Sequence, residues 1–161
     1  MFESPGSRVG RNKWAGAPPA TMPLITKLRL AANQAVATGV WTTISWDSLV
    51  RDDVGAFNNA TPTFVTTPSQ FSRVRIVVIA GWENSSGNAR IISICQNGSD
   101  IRVDLRTALA EANACIGTDY ISCNPGDQFS LKVNQNNVAS LNFSGTGFPG
   151  TGSFIEFSWY R

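Results

Sequence analysis

Few residues in this 161-residue chain have the types and spacing that catalysis needs. The chain contains no histidine, so a catalytic triad or a Cys–His pair, in which an imidazole accepts the nucleophile's proton, is excluded. Asp52 and Asp53 are adjacent carboxyl groups. Neighbours in one loop do not experience the two opposed environments that separate a general acid from a general base. A solvated turn is the better interpretation of this pair, and we expect no catalytic residues and no enzymatic activity.

Oxygen ligands for a metal ion could come from Asp47, Asp52 and Asp53. Calcium requires about six to eight oxygens from a tight loop, so a calcium site here is the less favoured alternative. The glycine-rich segment 144–152, SGTGFPGTG, lacks the lysine and the following helix of a phosphate-binding loop. We expect neither a metal nor another cofactor.

The three cysteines, Cys95, Cys115 and Cys123, form no Cys-x-x-Cys pair, and a zinc ion would lack histidine ligands. Buried free thiols are expected, because free cysteine is among the most buried residue types. A Cys115–Cys123 disulfide is the alternative. Free thiols fit assembly in a reducing cytoplasm.

The elements that would position any site are short strands. Hydrophobic residues make up 42% of the chain and charged residues 15%, which is typical of a folded protein. Strands are predicted around residues 25–30, 40–46, 73–80, 89–96, 101–105, 119–123, 129–134, 138–143 and 153–161. Residues 47–64 are predicted to form a loop. Residues 107–117 have helical propensity, but we predict strand and loop because a helix would interrupt the series of strands.

Two turns support this interpretation. Asn97-Gly98 joins two predicted strands and is the strongest short signal for a β-hairpin. Pro125-Gly126-Asp127 precedes a strand in which Phe129, Leu131 and Val133 share one face. Many short strands separated by Gly, Pro and Asn turns predict an all-β sandwich or jelly roll.

Alternation also divides the strand at residues 40–46 into two faces. One face carries Val40, Thr42, Ile44 and Trp46, and the other carries Trp41, Thr43 and Ser45.

The last strand is apolar on both faces. One face carries Ile155, Phe157 and Trp159, and the other carries Phe154 and Tyr160, with Glu156 and Ser158 between them. A contact with another subunit would explain the second apolar face. The alternative is a strand buried on both sides within one subunit.

Residues 1–24 are predicted to form an extended arm, and residues 25–161 the jelly-roll domain. The arm is rich in proline and glycine and has no helical or strand period. The formal net charge of +2 lies on this segment, which is too little for nucleic-acid binding. Candidate residues for anchoring the arm to partner proteins are Phe2, Arg8, Arg11, Lys13 and Trp14. The alternative is an arm folded back on its own domain. The sequence contains no run of about 18 apolar residues, so no membrane span is predicted. The N-terminus also lacks the apolar core of a signal peptide.

Read in order, several segments resemble the jelly roll of the C1q and tumour-necrosis-factor families. They are ANQAVATGVWTTISWD (32–47), VRDDVGAFNNATPTFVTTP (50–68), ARIISICQNGSDI (89–101), ISCNPGDQFSLKVNQNN (121–137) and GSFIEFSWYR (152–161). The resemblance covers roughly residues 25–161 and implies a tight homotrimer with the last strand near the three-fold axis. It places Phe154, Glu156 and Tyr160 at the trimer interface. The chain departs from the animal members in keeping only Phe71 of an aromatic pair and in having no Gly-X-Y stalk.

Domains that resemble this one occur in bacteriophage fibres and virion decoration proteins. The resemblance therefore predicts a virion protein, assembled in the host cytoplasm, with a trimeric jelly roll anchored to capsid or tail by its N-terminal arm. Adhesion to a host-surface glycan would use aromatic residues with amide neighbours on loops, and the candidates are Trp82, Asn84 and Phe148. A position of Trp82 in the core is an equal alternative. A carbohydrate-binding module without an anchoring role is the alternative, and a secreted trimeric signalling ligand is a weaker one. Neither a nucleic acid nor a membrane is expected as a partner.

Overall fold

Thirteen strands and no helix occupy the part of the chain that the computed structural model describes, which comprises residues 22–82, 89–107, 113–137, 139–144 and 152–161. The strands are β1 Leu24–Arg29, β2 Gln34–Val36, β3 Thr42–Thr43, β4 Ser48–Asp52, β5 Val65–Thr66, β6 Arg73–Gly81, β7 Ala89–Gln96, β8 Ser99–Thr107, β9 Asn113–Gly117, β10 Ile121–Ser122, β11 Gln128–Gln135, β12 Leu141–Phe143 and β13 Phe154–Tyr160. The predicted all-β class is confirmed. A search of these residues finds no helix long and apolar enough to cross a membrane.

Two antiparallel sheets form a sandwich. The six-stranded sheet has the order β10-β6-β13-β1-β4, with β9 also paired to β6. The five-stranded sheet has the order β3-β11-β7-β8, with β5 also paired to β11, and β12 pairs with β2 separately. Since β13 lies between β1 and β6, the two ends of the described chain meet in the middle of one sheet.

The core lies between the two sheets and is rich in aromatic side chains. Phe157 stacks on Trp159 with 5.7 Å between ring centroids, and Phe129 of the opposite sheet lies 6.1 Å from Phe157. Leu131 and Val133 are also buried, as the alternation of β11 predicted. Apolar burial of this kind is the main stabilising contribution to the sandwich.

Two turns meet at one end of the sandwich. Asn97 and Gly98 both have positive φ, as the tight hairpin between β7 and β8 requires. In the turn Asn124–Asp127, Gly126 has φ of 87°, and Pro125 precedes it, as in a type II turn. The Asp127 carboxylate accepts hydrogen bonds from the Asn97 Nδ2 (2.8 Å), the Gln96 Nε2 (2.9 Å) and the Asn124 amide (2.8 Å). One side chain therefore ties both turns together.

The predicted strand at residues 40–46 is wrong in extent, because β3 contains only Thr42 and Thr43. The amide of Ser45 bonds to the Gln34 side chain, and that of Trp46 bonds to the Pro62 carbonyl. These two amides therefore donate their hydrogen bonds to a side chain and to a loop carbonyl, and not to a neighbouring strand of a β-sheet. Ile44 and Trp46 are buried as a shared face would require, but Val40 is 53% exposed.

The predicted loop at residues 47–64 is also wrong at its start. Residues Ser48–Asp52 form β4, which pairs with β1 across a bulge. In contrast, the preference for strand over helix at residues 107–117 is confirmed for Asn113–Gly117, which form β9, while residues 108–112 lie outside the described residues.

All three cysteines are free, so the alternative Cys115–Cys123 disulfide does not form. Cys95 and Cys123 are buried, but the expectation of burial is wrong for Cys115, which is exposed. Cys115 lies opposite Ile79 and alternates with the buried Ile116, so its side chain lies on the face of the sheet away from the core.

Candidate assembly surface

The outward face of the six-stranded sheet, meaning the face turned away from the sandwich core, carries the residues predicted for the trimer interface. Along β13, Ile155, Phe157 and Trp159 are buried in the core, whereas Phe154, Glu156, Ser158 and Tyr160 are half-buried on the outward face. The alternation predicted for the last strand is thus present. Among the described residues, no further strand covers this face, so the strand is not buried on both sides by them.

Antiparallel register extends this face across neighbouring strands. Glu156 lies between Lys27 of β1 and Val77 of β6. In the next row, Phe154 lies opposite Ile79, and Ile79 lies opposite Cys115 of β9. Cross-strand neighbours on one face are close enough for their side chains to contact each other. The rows therefore form one continuous surface of mixed apolar and charged character.

Lys27, Phe154 and Glu156 form a compact group on the outward face. The Lys27 Nζ lies 3.1 Å from the Glu156 Oε2 and 4.1 Å from the centre of the Phe154 ring. Both charged side chains are 31% exposed. A salt bridge in this exposure contributes only about 0–1 kcal/mol to stability. The pair instead neutralises charge beside an aromatic ring, which suits a surface that becomes covered on association.

A second group lies at the end of the sheet where the chain terminates. Tyr120 and Tyr160 meet edge to face with ring centroids 4.9 Å apart, and the Arg73 guanidinium lies 6.0 Å from the Tyr120 ring. Burial raises the pKa of Tyr160, and its hydrogen bond with Tyr120 raises it further. Beside this pair is a cleft of about 330 Å³ whose lining includes Met22, Leu24, Phe71, Arg73, Trp159, Tyr160 and Arg161.

The carboxylates considered for calcium serve separate parts of the backbone. Asp47 accepts hydrogen bonds from the amides of Ala31 and Ala32. The described residues contain no group of three or more potential metal ligands. The three aspartates considered for calcium are therefore not brought together.

Asp52 is not a solvated turn residue, contrary to the sequence interpretation. Its carboxylate accepts hydrogen bonds from the Thr26 hydroxyl at 2.9 Å and from the amides of Ala56 and Phe57. Asp53 bonds instead to Arg51 and to the Ile25 amide, and these bonds lower the pKa of Asp53. Asp52 thus fixes the path of the loop after β4.

Of the three residues predicted for glycan binding, Trp82 is in the wrong place. It is only 5% exposed and packs edge to face on Phe143 at 5.2 Å between centroids. A ring buried in this way offers no face to a sugar. Asn84 and Phe148 lie outside the described residues, as do the arm residues Phe2, Arg8, Arg11, Lys13 and Trp14.

Sequence reasoning missed the contribution of β1 and β6 to the outward face. Ile25, Lys27, Val77 and Ile79 share that face with Phe154 and Glu156. The alternation of LITKLR (24–29) and RVRIVVIA (73–80) already divides the residues of β1 and β6 between two faces. It could be used only once β13 was known to pair with both strands.

Solved structures with the same architecture include murine APRIL. The APRIL structure at pH 8.0 aligns with a TM-score of 0.60 at 15% identity, over 85% of this chain and 98% of the APRIL chain. The APRIL structure at pH 5.0 aligns with a TM-score of 0.60 at 14% identity, over 86% of this chain and 99% of the APRIL chain. The globular domain of zebrafish complement 1qA protein aligns with a TM-score of 0.54 at 6% identity, over 85% of this chain and 95% of that domain.

The chain has the tumour-necrosis-factor/C1q-like jelly-roll fold. At these identities the likeness concerns the fold. No protein-family model matches the sequence, and no curated protein matches it significantly. The predicted jelly roll, and its C1q-like and tumour-necrosis-factor-like character, are confirmed.

Proposed function

We propose that the chain is a structural protein of a bacteriophage virion, in which three jelly rolls form a knob. The virion part of this proposal rests on the resemblance of the sequence to domains of bacteriophage fibres and decoration proteins. The observation that carries the assembly part is the outward face of the six-stranded sheet. It presents Phe154, Val77 and Ile79, and no other described element covers it. Apolar surface of this kind on a sheet face is typical of a subunit interface. The fold supports the trimeric part of the proposal, since the resemblance to C1q-like domains implies a homotrimer.

The oligomeric state tests the assembly part of the proposal. Size-exclusion chromatography with light scattering of the full chain is expected to give the mass of a trimer across the micromolar range. A monomer at every concentration would contradict the proposal. A dimer would also contradict it, because an isologous contact uses a different symmetry.

Residues 1–24 would anchor this knob to the capsid or tail, as a head fibre, decoration protein or tail-fibre tip. Their three basic residues and Trp14 suit contact with an acidic protein surface. The test deletes residues 1–23 and measures incorporation into particles. Loss of incorporation by a chain that still forms trimers supports an anchoring arm, whereas unchanged incorporation refutes it.

The second candidate is a carbohydrate-binding module for receptor recognition, and it applies with or without the arm. One observation favours it: on the five-stranded sheet, Trp41 is 46% exposed and lines a cleft together with the oppositely charged Asp100 and Lys132. The first test is whether the full chain retains any neutral glycan on an array.

A further inference from the structure

A shallow cleft lies on the outward face of the five-stranded sheet, away from the proposed trimer surface. It measures about 290 Å³ and is lined by Trp41, Thr43, Asp100 and Lys132. Strand register explains how these residues meet. Thr43 of β3 lies opposite Lys132 of β11, and Lys132 lies opposite Ser93 of β7.

The acidic side of the cleft is held in place from below. Ser93 is fully buried, and its hydroxyl donates a hydrogen bond of 2.7 Å to the Asp100 Oδ1. The Cys95 thiol donates to the same oxygen at 3.1 Å. These two bonds lower the pKa of Asp100, so the carboxylate is ionised at neutral pH. Within the described part of the chain both bonds fall on Oδ1, which leaves Oδ2 available as an acceptor.

The basic side of the cleft is similarly oriented. The Lys132 Nζ donates to the Gly98 carbonyl at 3.2 Å, and Gly98 belongs to the hairpin turn that carries Asp100 just beyond it. An ammonium group has three donors, and one of them is used within the described part of the chain, so two remain for a ligand. The cleft therefore offers a carboxylate acceptor and an ammonium donor from fixed positions.

Trp41 provides the apolar part of the site. It is 46% exposed, although a tryptophan that only stabilised the fold would be expected in the core, as Trp46 and Trp159 are. Across the sheet, Val103 lies opposite Ser93 and is 50% exposed, so apolar surface continues beyond the charged pair. An exposed aromatic ring beside a few oriented polar groups is the usual composition of a small-ligand site.

We propose that this cleft binds a neutral saccharide, with the apolar face of one pyranose ring against Trp41 and its hydroxyls bonded to Asp100 and Lys132. The two opposite charges disfavour a ligand with a net charge, and the exposed Trp41 ring favours a ligand with a flat apolar face. An anionic ligand would be attracted by Lys132 and repelled by Asp100. A cationic ligand would be attracted by Asp100 and repelled by Lys132. A sugar hydroxyl both donates and accepts, so a neutral ring satisfies both groups at once. The inference does not depend on the trimer; it rests on the second candidate function, for which it names the site and the class of ligand.

The test uses the full chain on an array of neutral, sialylated and amino-sugar glycans, followed by calorimetry with the neutral oligosaccharide that binds best. Trp41→Ala is expected to weaken binding at least about tenfold, and Asp100→Asn to weaken it by a similar factor. Leu49→Ala is the matched control, because Leu49 is an exposed large apolar residue in β4 of the other sheet. It is expected to leave the affinity unchanged.

Circular dichroism and light scattering on each variant separate loss of binding from loss of fold. If Trp41→Ala does not fold, Lys132→Gln serves as the second variant and is expected to weaken binding as well. Absence of binding to every neutral glycan, binding confined to charged glycans, or full affinity in Trp41→Ala would overturn the proposal. A monomer that binds neutral glycan refutes the trimer and leaves the cleft. A trimer that binds none refutes the cleft together with the carbohydrate-binding candidate and leaves the assembly role.

Discussion

Asp127 shows how a single side chain can join two distant turns. Its carboxylate receives hydrogen bonds from the backbone of its own turn and from Gln96 and Asn97 at the end of β7. These bonds lower the pKa of Asp127, with the Asn124 amide as the largest cause. The sequence motif Asn-Pro-Gly-Asp predicted the turn, but the partners are about 30 residues away and needed the sheet topology.

Asp127→Asn is expected to lower the free energy of unfolding at pH 7 by about 1–2 kcal/mol, because bonds to a charged acceptor are lost. The folded-state pKa lies below the unfolded value of about 3.9. The stabilisation is therefore complete above that value and is lost as the pH falls through the folded pKa. Urea unfolding at several pH values measures this difference between wild type and variant.

The control for this measurement is Asp119→Asn, which changes an exposed carboxyl on the preceding loop and is expected to leave the urea midpoint at pH 7 unchanged. An Asp127→Asn variant as stable as wild type at pH 7 would show that the three hydrogen bonds contribute no net stability.

At the scale of elements, the hairpin between β7 and β8 is fixed by its turn. Gly98 has φ of 82°, and a Cβ added there would meet no atom within 4 Å. The cost of Gly98→Ala is therefore conformational and not steric, and is expected to be about 1–2 kcal/mol. Gly117→Ala is the matched control, since Gly117 lies in β9 without positive φ and its added Cβ would make an ordinary contact of 3.9 Å with the Ile76 carbonyl. Thermal unfolding of both variants distinguishes the two cases, and equal losses would contradict the assignment of strain to the turn.

The longer strands could be predicted because their sequences alternate strongly and are bounded by turn residues. β6, β7, β11 and β13 fall within a residue or two of their predicted positions. β3 and β4 could not be placed, since their limits depend on the Gln34 side chain and on a bulge opposite β1. The alternation placed Trp41 and Trp46 on opposite faces of the strand. It could not predict which of these two residues points into the core. The predicted glycan-binding role of Trp82 and the predicted burial of Cys115 were wrong for the same reason, because burial depends on which strands pair.

At the scale of the whole molecule, Val77 and Val103 offer a matched pair of substitutions. Val77 is half-buried on the outward face of the six-stranded sheet, and Val103 is exposed on the other sheet. Val77→Asp is expected to convert the trimer to monomer, because a carboxylate would be desolvated in the interface. Val103→Asp is expected to remain a trimer. Light scattering measures the mass, circular dichroism confirms that both variants fold, and a trimeric, folded Val77→Asp would exclude this face from the interface.

The reactivity of the Cys115 thiol tests the same surface in the wild-type protein. Burial raises the pKa of Cys95 and Cys123, which lowers their thiolate fractions, so a maleimide is expected to modify Cys115 first in the monomer. Trimer formation is expected to slow modification of Cys115 by at least about tenfold, since Cys115 lies in the row of Phe154 and Ile79. Mass spectrometry of digests taken along a dilution series measures the rate. A rate independent of protein concentration would place Cys115 outside any subunit contact.

The central position of β13 has a consequence for synthesis. Among the described strands, β13 follows both β1 and β6 in the sequence and fills the gap between them, so each of these two strands keeps an open edge until β13 has been synthesised. The Lys27–Glu156 pair joins residues 129 positions apart, so closure of this sheet is intrinsically slow. A premature stop before residue 154 therefore leaves no partly useful domain, only a chain with exposed edges that is prone to aggregate. The six-stranded sheet, and with it the proposed assembly surface, can therefore form only after β13 has been synthesised.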